Sequence, residues 1–322
     1  TDLPDGIKYQ LPDDLKKFKE KHSSEILFHK IMQYFFYCQY FELKAYANKN
    51  GVKIIGDIPF YVSPDSADVW ENPDDFKVGR DFTPTEVAGV PPDIFSSNGQ
   101  LWGNPIYNWQ NMRRNEYRWW QSRLLFCKDL YDVLRIDHFR AFADYYSIPY
   151  GSPTAASDSW KKGEGIAFWN KMTQKIGDIN IIAEDLGGED DAEVISLLKH
   201  TDFPNMKILQ FGFTGDIQNN FLPQNYGYNC VCYTGTHDND TTLGWYKSID
   251  RKQRIMFDML VKDFNIEVSH RMIRAAVKSP AMLCIIPMQD LLCLDSSARM
   301  NTPGTSHGNW QWQMKSDDIS AD

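Results

Sequence analysis

Clustered basic residues, metal-type cysteine motifs and long apolar runs are all missing from this sequence. Its 34 Lys and Arg are outnumbered by 43 Asp and Glu, which gives a formal net charge of −9 at pH 7. Because phosphates are neutralised by clustered Lys and Arg, an acidic chain of this kind is poorly suited to nucleic acids and anionic membranes. We therefore expect neither nucleic acid nor a membrane as a partner.

Cysteine is scarce. The six cysteines form no CxxC pair, have no His at zinc spacing and lie mostly in apolar stretches. We interpret them as buried thiols of a reducing compartment, the cytoplasm or alternatively a plastid, rather than as disulfide partners or zinc ligands. The longest uncharged aromatic stretch, residues 31–41, is far shorter than the ~20 residues that span a bilayer, so no membrane helix is predicted.

Aromatic side chains, in contrast, are abundant, because the 322 residues include ten Trp, sixteen Tyr and nineteen Phe. A chain of this length forms one large or two ordinary domains with a sizeable core, and we expect most of these rings to lie in it. Rings exposed in a cleft also bind flat, weakly polar ligands such as sugars. The composition is therefore compatible with a sugar-binding cleft.

Local patterns divide the chain into three parts. Residues 1–51 are predicted to form a helical lead-in that packs on the following part. Residues 52–300 form a βα portion with a Pro-, Gly- and Asp-rich loop subdomain at about 63–108, and residues 301–322 form a C-terminal tail.

Short apolar strands alternate with helices in the βα portion, and long helices are predicted over 23–50 and 109–130. The strands are predicted over 52–59, 133–137, 179–183, 206–211, 230–234 and 282–287. This alternation indicates an α/β fold with a parallel sheet. A closed (β/α)8 barrel requires eight strands, and about six are visible. The chain is therefore either an open doubly wound sheet or a TIM-type barrel whose first two strands lie upstream of Thr1.

Carboxylates stand at the ends of several predicted strands. Asp57, Asp137 and Glu184 each follow an apolar strand, and Asp238 lies in the loop after 230–234. Because the carboxyl ends of parallel strands point to one face, these acids are expected to share a pocket. A single acid could simply cap the following helix. A cluster of like charges is costly, however, and is normally retained for acid/base chemistry or for a metal.

Two carboxylates at close range suit glycosidic-bond chemistry, because one attacks the anomeric carbon while the other protonates the leaving oxygen. A Mg²⁺ or Ca²⁺ site is the competing interpretation of the same acids. The loop 237–240 has no EF-hand spacing and no glycine at the turn position, so the metal is the less favoured interpretation. We predict no metal and no other cofactor.

Seven short motifs follow one another along the chain. They are GDIPF at 56–60, DSADVW at 65–70, GVPPD at 89–93, GQLWGNP at 99–105, RIDHFR at 135–140, AEDLG at 183–187 and TGTHDN at 234–239. Together they resemble the 4-alpha-glucanotransferases, the amylomaltase or disproportionating-enzyme family of the alpha-amylase clan. The similarity extends from about Phe36 to Trp312. It implies a (β/α)8 barrel with loop insertions, here without its first two strands.

The resemblance also implies a retaining double displacement on α-1,4-glucans and maltooligosaccharides. Asp137 matches the family's nucleophile, Glu184 its general acid/base, and Asp238 the third acid, which stabilises the transition state. Retention implies that the carboxyl groups of Asp137 and Glu184 lie ~5 to 5.5 Å apart.

Five further positions match residues around the sugar. Arg135 and His237 match the subsite where the intermediate forms, and Asp57, Asp93 and Trp102 match sugar-contacting positions. Arg135 lies two residues before the nucleophile on one strand, so both side chains are expected to leave the same face. A cation there would keep the nucleophile ionised at neutral pH.

Three alternatives remain open from the residues alone. An α-glucan hydrolase would give only shorter products, a catalytically silent glucan-binding fragment would bind without turnover, and a metal-dependent hydrolase would lose activity with a chelator. Transfer requires that a sugar hydroxyl rather than water meets the intermediate. The loop 84–105, with Phe95 and Trp102, is expected to shield it.

Overall fold

The computed structural model describes residues 3–92, 98–155, 159–188, 190–305 and 307–318. The chain divides into two units, of which the first comprises Thr1–Ile181 and Asp190–Leu197 and the second Ile182–Glu189 and Leu198–Asp322.

Helices and strands alternate in both units. The first unit contains helices α1 (Asp5–Lys8), α2 (Pro12–Lys21), α3 (Ser23–Lys49), α4 (Ala67–Glu71), α5 (Trp109–Arg114), α6 (Arg118–Leu130) and α7 (Gly165–Ile176). Its strands are β1 (Ile55–Pro59), β2 (Glu86–Val90), β3 (Gln100–Pro105), β4 (Val133–Asp137), β5 (Asp144–Pro149) and β6 (Ser159–Lys162). Strand β7 (Ile181–Ala183) and helix α8 (Ala192–Thr201) each have residues in both units. The second unit contains β8 (Asn205–Ile208), β9 (Cys230–Tyr233), β10 (Leu283–Ile285), α9 (Thr242–Ser248), α10 (Arg251–Leu260), α11 (Val268–Val277) and α12 (Met288–Leu291).

Parallel strand pairs confirm the predicted α/β fold. In the first unit, β1 pairs with β4 from Ile55 opposite Val133 to Pro59 opposite Asp137. In the second unit, β8 pairs in parallel with β7 and with β9, and β9 pairs in parallel with β10. All four residues of β9 are buried, as expected for a parallel strand that is covered on both faces. Strand β4 has the predicted bounds, whereas the other parallel strands are shorter than the predicted ranges.

The first unit also contains an antiparallel sheet with the strand order β3-β2-β5-β6. Strands β2 and β3 lie inside the predicted range 63–108, but β5 and β6 come from a later segment rich in Pro, Gly and Ser. Glu86 on β2 pairs with Pro149 on β5. Local periodicity cannot reveal such a pairing, because the partner strands are distant in sequence.

The predicted helix over 109–130 is interrupted and forms α5 and α6. Glu116 and Tyr117, between the two helices, have φ values of 60° and 59°. The hydroxyl of Tyr117 donates to the carboxylate of Glu164, and its ring packs edge-on against Phe168 at a centroid distance of 5.2 Å. A left-handed backbone is uncommon outside glycine. The contacts of Tyr117 therefore help to hold the chain in this conformation between α5 and α6.

Aromatic rings form much of the core of the first unit. Phe60 lies 4.7 Å from Phe142 and 5.3 Å from Tyr107 between ring centroids, and Trp120 lies 5.7 Å from Phe168. All five side chains are almost completely buried. Many of the abundant aromatic residues therefore serve packing rather than ligand binding.

Helix α3 contributes no buried side chain, although its apolar residues recur at helical spacing. Phe28 and Phe36 are 59% and 60% exposed. The helix is anchored by polar bonds instead, because the Tyr40 hydroxyl and the Lys44 ammonium donate to the carbonyls of Leu130 and Asp129 at 2.8 Å each. Many of its apolar side chains are thus exposed in this unit.

The cysteines are predicted to be buried thiols. All six cysteines are free, and Cys127, Cys230 and Cys232 are buried as predicted. Cys38 is exposed, because it belongs to α3, a helix with no buried residue. Across the described ranges, no helix combines the length and the apolar character needed to cross a membrane.

A half-buried ion network stabilises the antiparallel sheet of the first unit. The carboxylate of Glu86 accepts hydrogen bonds from Lys77 Nζ at 2.9 Å, Lys161 Nζ at 2.6 Å and Ser147 Oγ at 2.6 Å. Burial acts to raise the pKa of Glu86, but these hydrogen bonds outweigh it and lower the pKa to about 2. The folded state therefore favours the charged form of this side chain.

We expect Glu86→Gln to lower the free energy of unfolding at pH 7 by about 1–3 kcal/mol, because it removes charge-assisted hydrogen bonds. Since folding lowers this pKa from 4.5 to about 2, the contribution of Glu86 is complete above pH 4.5 and is lost as the pH falls through 2. Urea denaturation of both proteins over this pH range measures the difference. Glu116→Gln is the control, because Glu116 pairs with Lys171 and Lys175 but is half exposed, so its loss should be smaller. A difference for Glu86→Gln that does not change with pH would contradict the assignment.

Candidate active site

The ends of β1 and β4 bring three of the predicted site residues together. Arg135 Nη1 donates to both carboxylate oxygens of Asp57 at 2.8 Å, and Arg135 Nη2 donates to Asp137 Oδ1 at 3.0 Å. The side chain of Arg135 is 11% exposed, whereas those of Asp57 and Asp137 are 45% and 47% exposed. A buried cation thus holds two accessible carboxylates on one face, as the two-residue spacing of Arg135 and Asp137 predicts.

The chain turns sharply after Asp137. His138 has a φ of 55° and is buried, and its ring meets the Trp102 ring edge-on at 4.8 Å. Burial, assisted by the charge of Arg140, lowers the pKa of His138 to about 3. His138 is therefore a neutral packing partner at physiological pH. Trp102 stays 38% exposed beside it, so one part of its surface remains available to a ligand.

Arg140 secures the segment after this turn, a role that the motif alone does not reveal. Its Nη2 lies 2.8 Å from Asp144 Oδ1 and 3.5 Å from Asp191 Oδ2, and its guanidinium lies 4.0 Å from the Trp160 ring centroid. A planar cation that both pairs with carboxylates and stacks on a ring is a typical use of arginine.

Glu184 lies directly after β7 and is 7% exposed. Its Oε1 accepts a hydrogen bond from the Leu186 amide at 2.8 Å. The adjacent Asp185 is 1% exposed and accepts bonds from Asn205 Nδ2 at 2.8 Å and from the Met206 amide at 3.1 Å. Burial raises the pKa of Asp185. Asp185 thus ties β7 to β8 and has a structural role.

In the second unit, the loop after β9 carries His237 and Asp238, whose Nε2 and Oδ2 atoms lie 3.6 Å apart. Asp238 is also held by two residues of the C-terminal segment. Asn301 Nδ2 donates to Asp238 Oδ1 at 2.6 Å, and Arg299 Nη2 donates to the carbonyl of Asp238 at 2.7 Å. The exposed ring of Trp310 lies 5.1 Å from the His237 ring.

The residues of this segment are not among the site residues that the sequence predicts. Arg299 lies just before the tail of mixed composition and Asn301 begins it, and a pair of tryptophans at 310 and 312 is the one signal that stands out there. Asp93 and Phe95, predicted at the sugar site and in its shielding loop, lie outside the described residues.

The described residues contain no group of three or more His, Cys, Asp or Glu side chains arranged to hold a metal ion. Arg135 lies between Asp57 and Asp137 and satisfies both charges.

A family model described as 4-alpha-glucanotransferase matches residues 1–318. The chain belongs to this family. A 4-alpha-glucanotransferase of Streptococcus pneumoniae serotype 4 is 45% identical over 99% of the chain and 64% of the relative. A chloroplastic/amyloplastic 4-alpha-glucanotransferase of Solanum tuberosum is 42% identical over 96% of the chain and 55% of the relative. The chain thus spans less than two thirds of the length of these 4-alpha-glucanotransferases.

Solved structures place the fold with the amylomaltases. An amylomaltase from Streptococcus agalactiae in complex with acarbose aligns with a TM-score of 0.96 and 40% identity, over 99% of the chain and 65% of that protein. Amylomaltase from Corynebacterium glutamicum aligns with a TM-score of 0.69 and 18% identity, over 84% of the chain and 44% of that protein. The second similarity concerns the fold alone.

For this 4-alpha-glucanotransferase family member, we expect a measurable coupling between Arg135 and Asp57. A double-mutant cycle of Arg135→Met and Asp57→Asn should give an interaction free energy of about 1 kcal/mol in urea denaturation, because one partner is buried and the other half exposed. The exposed pair Lys162 and Glu193 is the control, and its coupling should be close to zero. Equal coupling for both pairs would show that Arg135 does not hold the strand ends together.

Proposed function

We propose that this chain transfers α-1,4-glucan segments from a donor glucan to a glucan or glucose acceptor, by a retaining double displacement. The observation that carries the proposal is the Arg135–Asp137 ion pair at the end of β4, in a member of the 4-alpha-glucanotransferase family. The family membership supports the substrate class. The ion pair supports an ionised nucleophile at the position where the family motif has one.

In the first step, Asp137 attacks the anomeric carbon and forms a glycosyl ester, while Glu184 gives its proton to the departing glycosidic oxygen. In the second step, Glu184 takes a proton from the acceptor hydroxyl, which displaces Asp137 and restores the α-linkage. The different environments of the two acids support this division. Asp137 is 47% exposed beside a cation, which favours a carboxylate, whereas Glu184 is 7% exposed, and burial favours the protonated acid.

Asp238 is the proposed third acid, which binds sugar hydroxyls and stabilises the positive charge that develops on the ring. Its bond to Asn301 and its contact with His237 support a fixed orientation. His237 and Arg135 are proposed to bind the sugar at the subsite of the intermediate. Asp57, Asp93 and Trp102 are proposed as further sugar-contacting residues, and the partly exposed Trp102 ring suits stacking on a glucose unit.

We propose further that the parallel strands belong to a (β/α)8 barrel whose first two strands are not among those of this chain. The similarity to the Streptococcus agalactiae amylomaltase, of which the chain covers 65%, supports this proposal. The residues encoded upstream of Thr1 would test it. A cytoplasmic or plastid location and the absence of nucleic acid partners stay predictions.

Incubation with maltotriose tests the activity. We expect glucose together with oligosaccharides longer than the substrate, because transfer lengthens one product for each one that it shortens. Shorter products alone would identify a hydrolase, and binding of maltotriose without turnover would identify a silent fragment. Loss of activity in the presence of a chelator would favour a metal-dependent hydrolase. Each of these three outcomes contradicts the proposal.

Substitution of the acids tests their roles. Asp137→Asn should abolish transfer, and Glu184→Gln should reduce it by about 10²–10⁴-fold, because it removes the proton donor. Glu193→Gln, on an exposed surface pair, is the control and should keep wild-type activity.

A trapping experiment separates the two acids. An α-maltosyl fluoride donor needs no protonation of its leaving group, so Glu184→Gln should still form the glycosyl ester and then release it slowly. Mass spectrometry of proteolytic peptides should find the sugar on Asp137. A sugar on any other carboxylate would show that the assigned nucleophile is wrong.

A further inference from the structure

A buried carboxylate lies behind the loop that carries Asp238. Asp290, in the short helix α12, is 1% exposed. Its Oδ2 accepts hydrogen bonds from Thr234 Oγ1 at 2.6 Å and Thr242 Oγ1 at 2.7 Å, and its Oδ1 accepts one from the Thr242 amide at 2.7 Å. Among the described residues, no Lys or Arg forms an ion pair with this carboxylate.

The two threonines mark the two ends of the loop. Thr234 directly follows β9, and Thr242 is the first residue of α9, so residues 235–241 lie between them. Both threonines are completely buried. A single side chain therefore joins the point where the chain leaves the sheet to the point where it enters the helix.

The same C-terminal segment also contacts the middle and the tip of the loop. Ser296 Oγ donates to Asp240 Oδ2 at 2.7 Å. Arg299 and Asn301 bind the carbonyl and the carboxylate of Asp238. Residues 288–301 thus follow the loop from its base to Asp238.

The chemistry of the site requires a carboxylate. Three donors converge on the two oxygens of Asp290, and an ionised carboxylate accepts only. An amide would turn its NH2 group toward at least one of these donors. An alanine would leave two buried hydroxyls and one amide without their acceptor.

We propose that Asp290 is a positioning residue for Asp238. By closing the base of the loop, it fixes the place from which the third acid reaches the sugar. The inference deepens the proposed function and rests on it. Positioning matters because a displacement of about 1 Å at a catalytic group can reduce the rate about 100-fold.

The test compares Asp290→Ala and Asp290→Asn with the wild-type chain. Thr234→Val, which removes one donor and keeps the carboxylate, is the milder variant if the alanine variant does not fold. Asp75→Asn is the matched control. Asp75 is also a buried carboxylate, and it accepts hydrogen bonds from Asn111 and Asn115 at 2.8 Å each, neither of which is a proposed site residue.

Two readouts are needed, both at a temperature where circular dichroism shows each variant to be folded. The first is kcat and KM for the disproportionation of maltotriose. The second is amide hydrogen exchange in peptides that contain residues 235–241, with β8 as the internal reference.

We expect Asp290→Ala to lower kcat about 100-fold with a smaller change in KM. Exchange in 235–241 should become at least about tenfold faster, with β8 unchanged. Asp290→Asn and Thr234→Val should lie between this variant and wild type. Asp75→Asn should lose thermal stability but keep its kcat, because a purely structural carboxylate affects only the folded fraction.

A folded Asp290→Ala variant with wild-type kcat, or with unchanged exchange in the loop, would overturn the inference. An equal fall of kcat in Asp75→Asn would also overturn it, because the effect would then be one of general stability. If the wild-type chain transfers nothing, the proposed function fails, and the exchange measurement still decides whether Asp290 orders the loop.

Discussion

One guanidinium group balances two carboxylates at the ends of neighbouring parallel strands, and the candidate site depends on this balance. Without Arg135, Asp57 and Asp137 would be two like charges on adjacent strand ends, and they would repel each other. The parallel register between β1 and β4, which sets Asp57 opposite Arg135, is what allows one cation to reach both. The register of these two strands therefore determines which charged side chains meet at their ends.

Two of the three proposed catalytic acids are more exposed than the residues that hold them. Asp137 and Asp238 are about half exposed, whereas their supports Arg135 and Asp290 are almost completely buried. Supports that lie in the core have few alternative conformations, so the exposed acids inherit a defined position. His138 is neutral and packs against Trp102, so it contributes packing but no charge.

Much of the first unit's site could be predicted from the sequence. An apolar strand that ends in an acid is a local signal, and alternation along a strand decides that Arg135 and Asp137 share a face. Contacts between distant segments leave no such signal. Asn301 donates to Asp238 in the loop, and Asp290 accepts from Thr234 at the base of the loop. Both hydrogen bonds join residues that are tens of positions apart in the sequence. The exposed face of α3 shows another limit, because periodicity predicts an apolar face but not what covers it.

The left-handed corner at His138 makes the end of β4 intolerant of changes in chain length. Side chains alternate between the two faces of a strand, so one inserted or deleted residue between 133 and 138 would rotate Asp137 toward the opposite face. A β-branched residue at 138 would also resist the positive φ of 55°. Insertions and deletions are therefore expected to be tolerated only away from this corner, in the connections between strands.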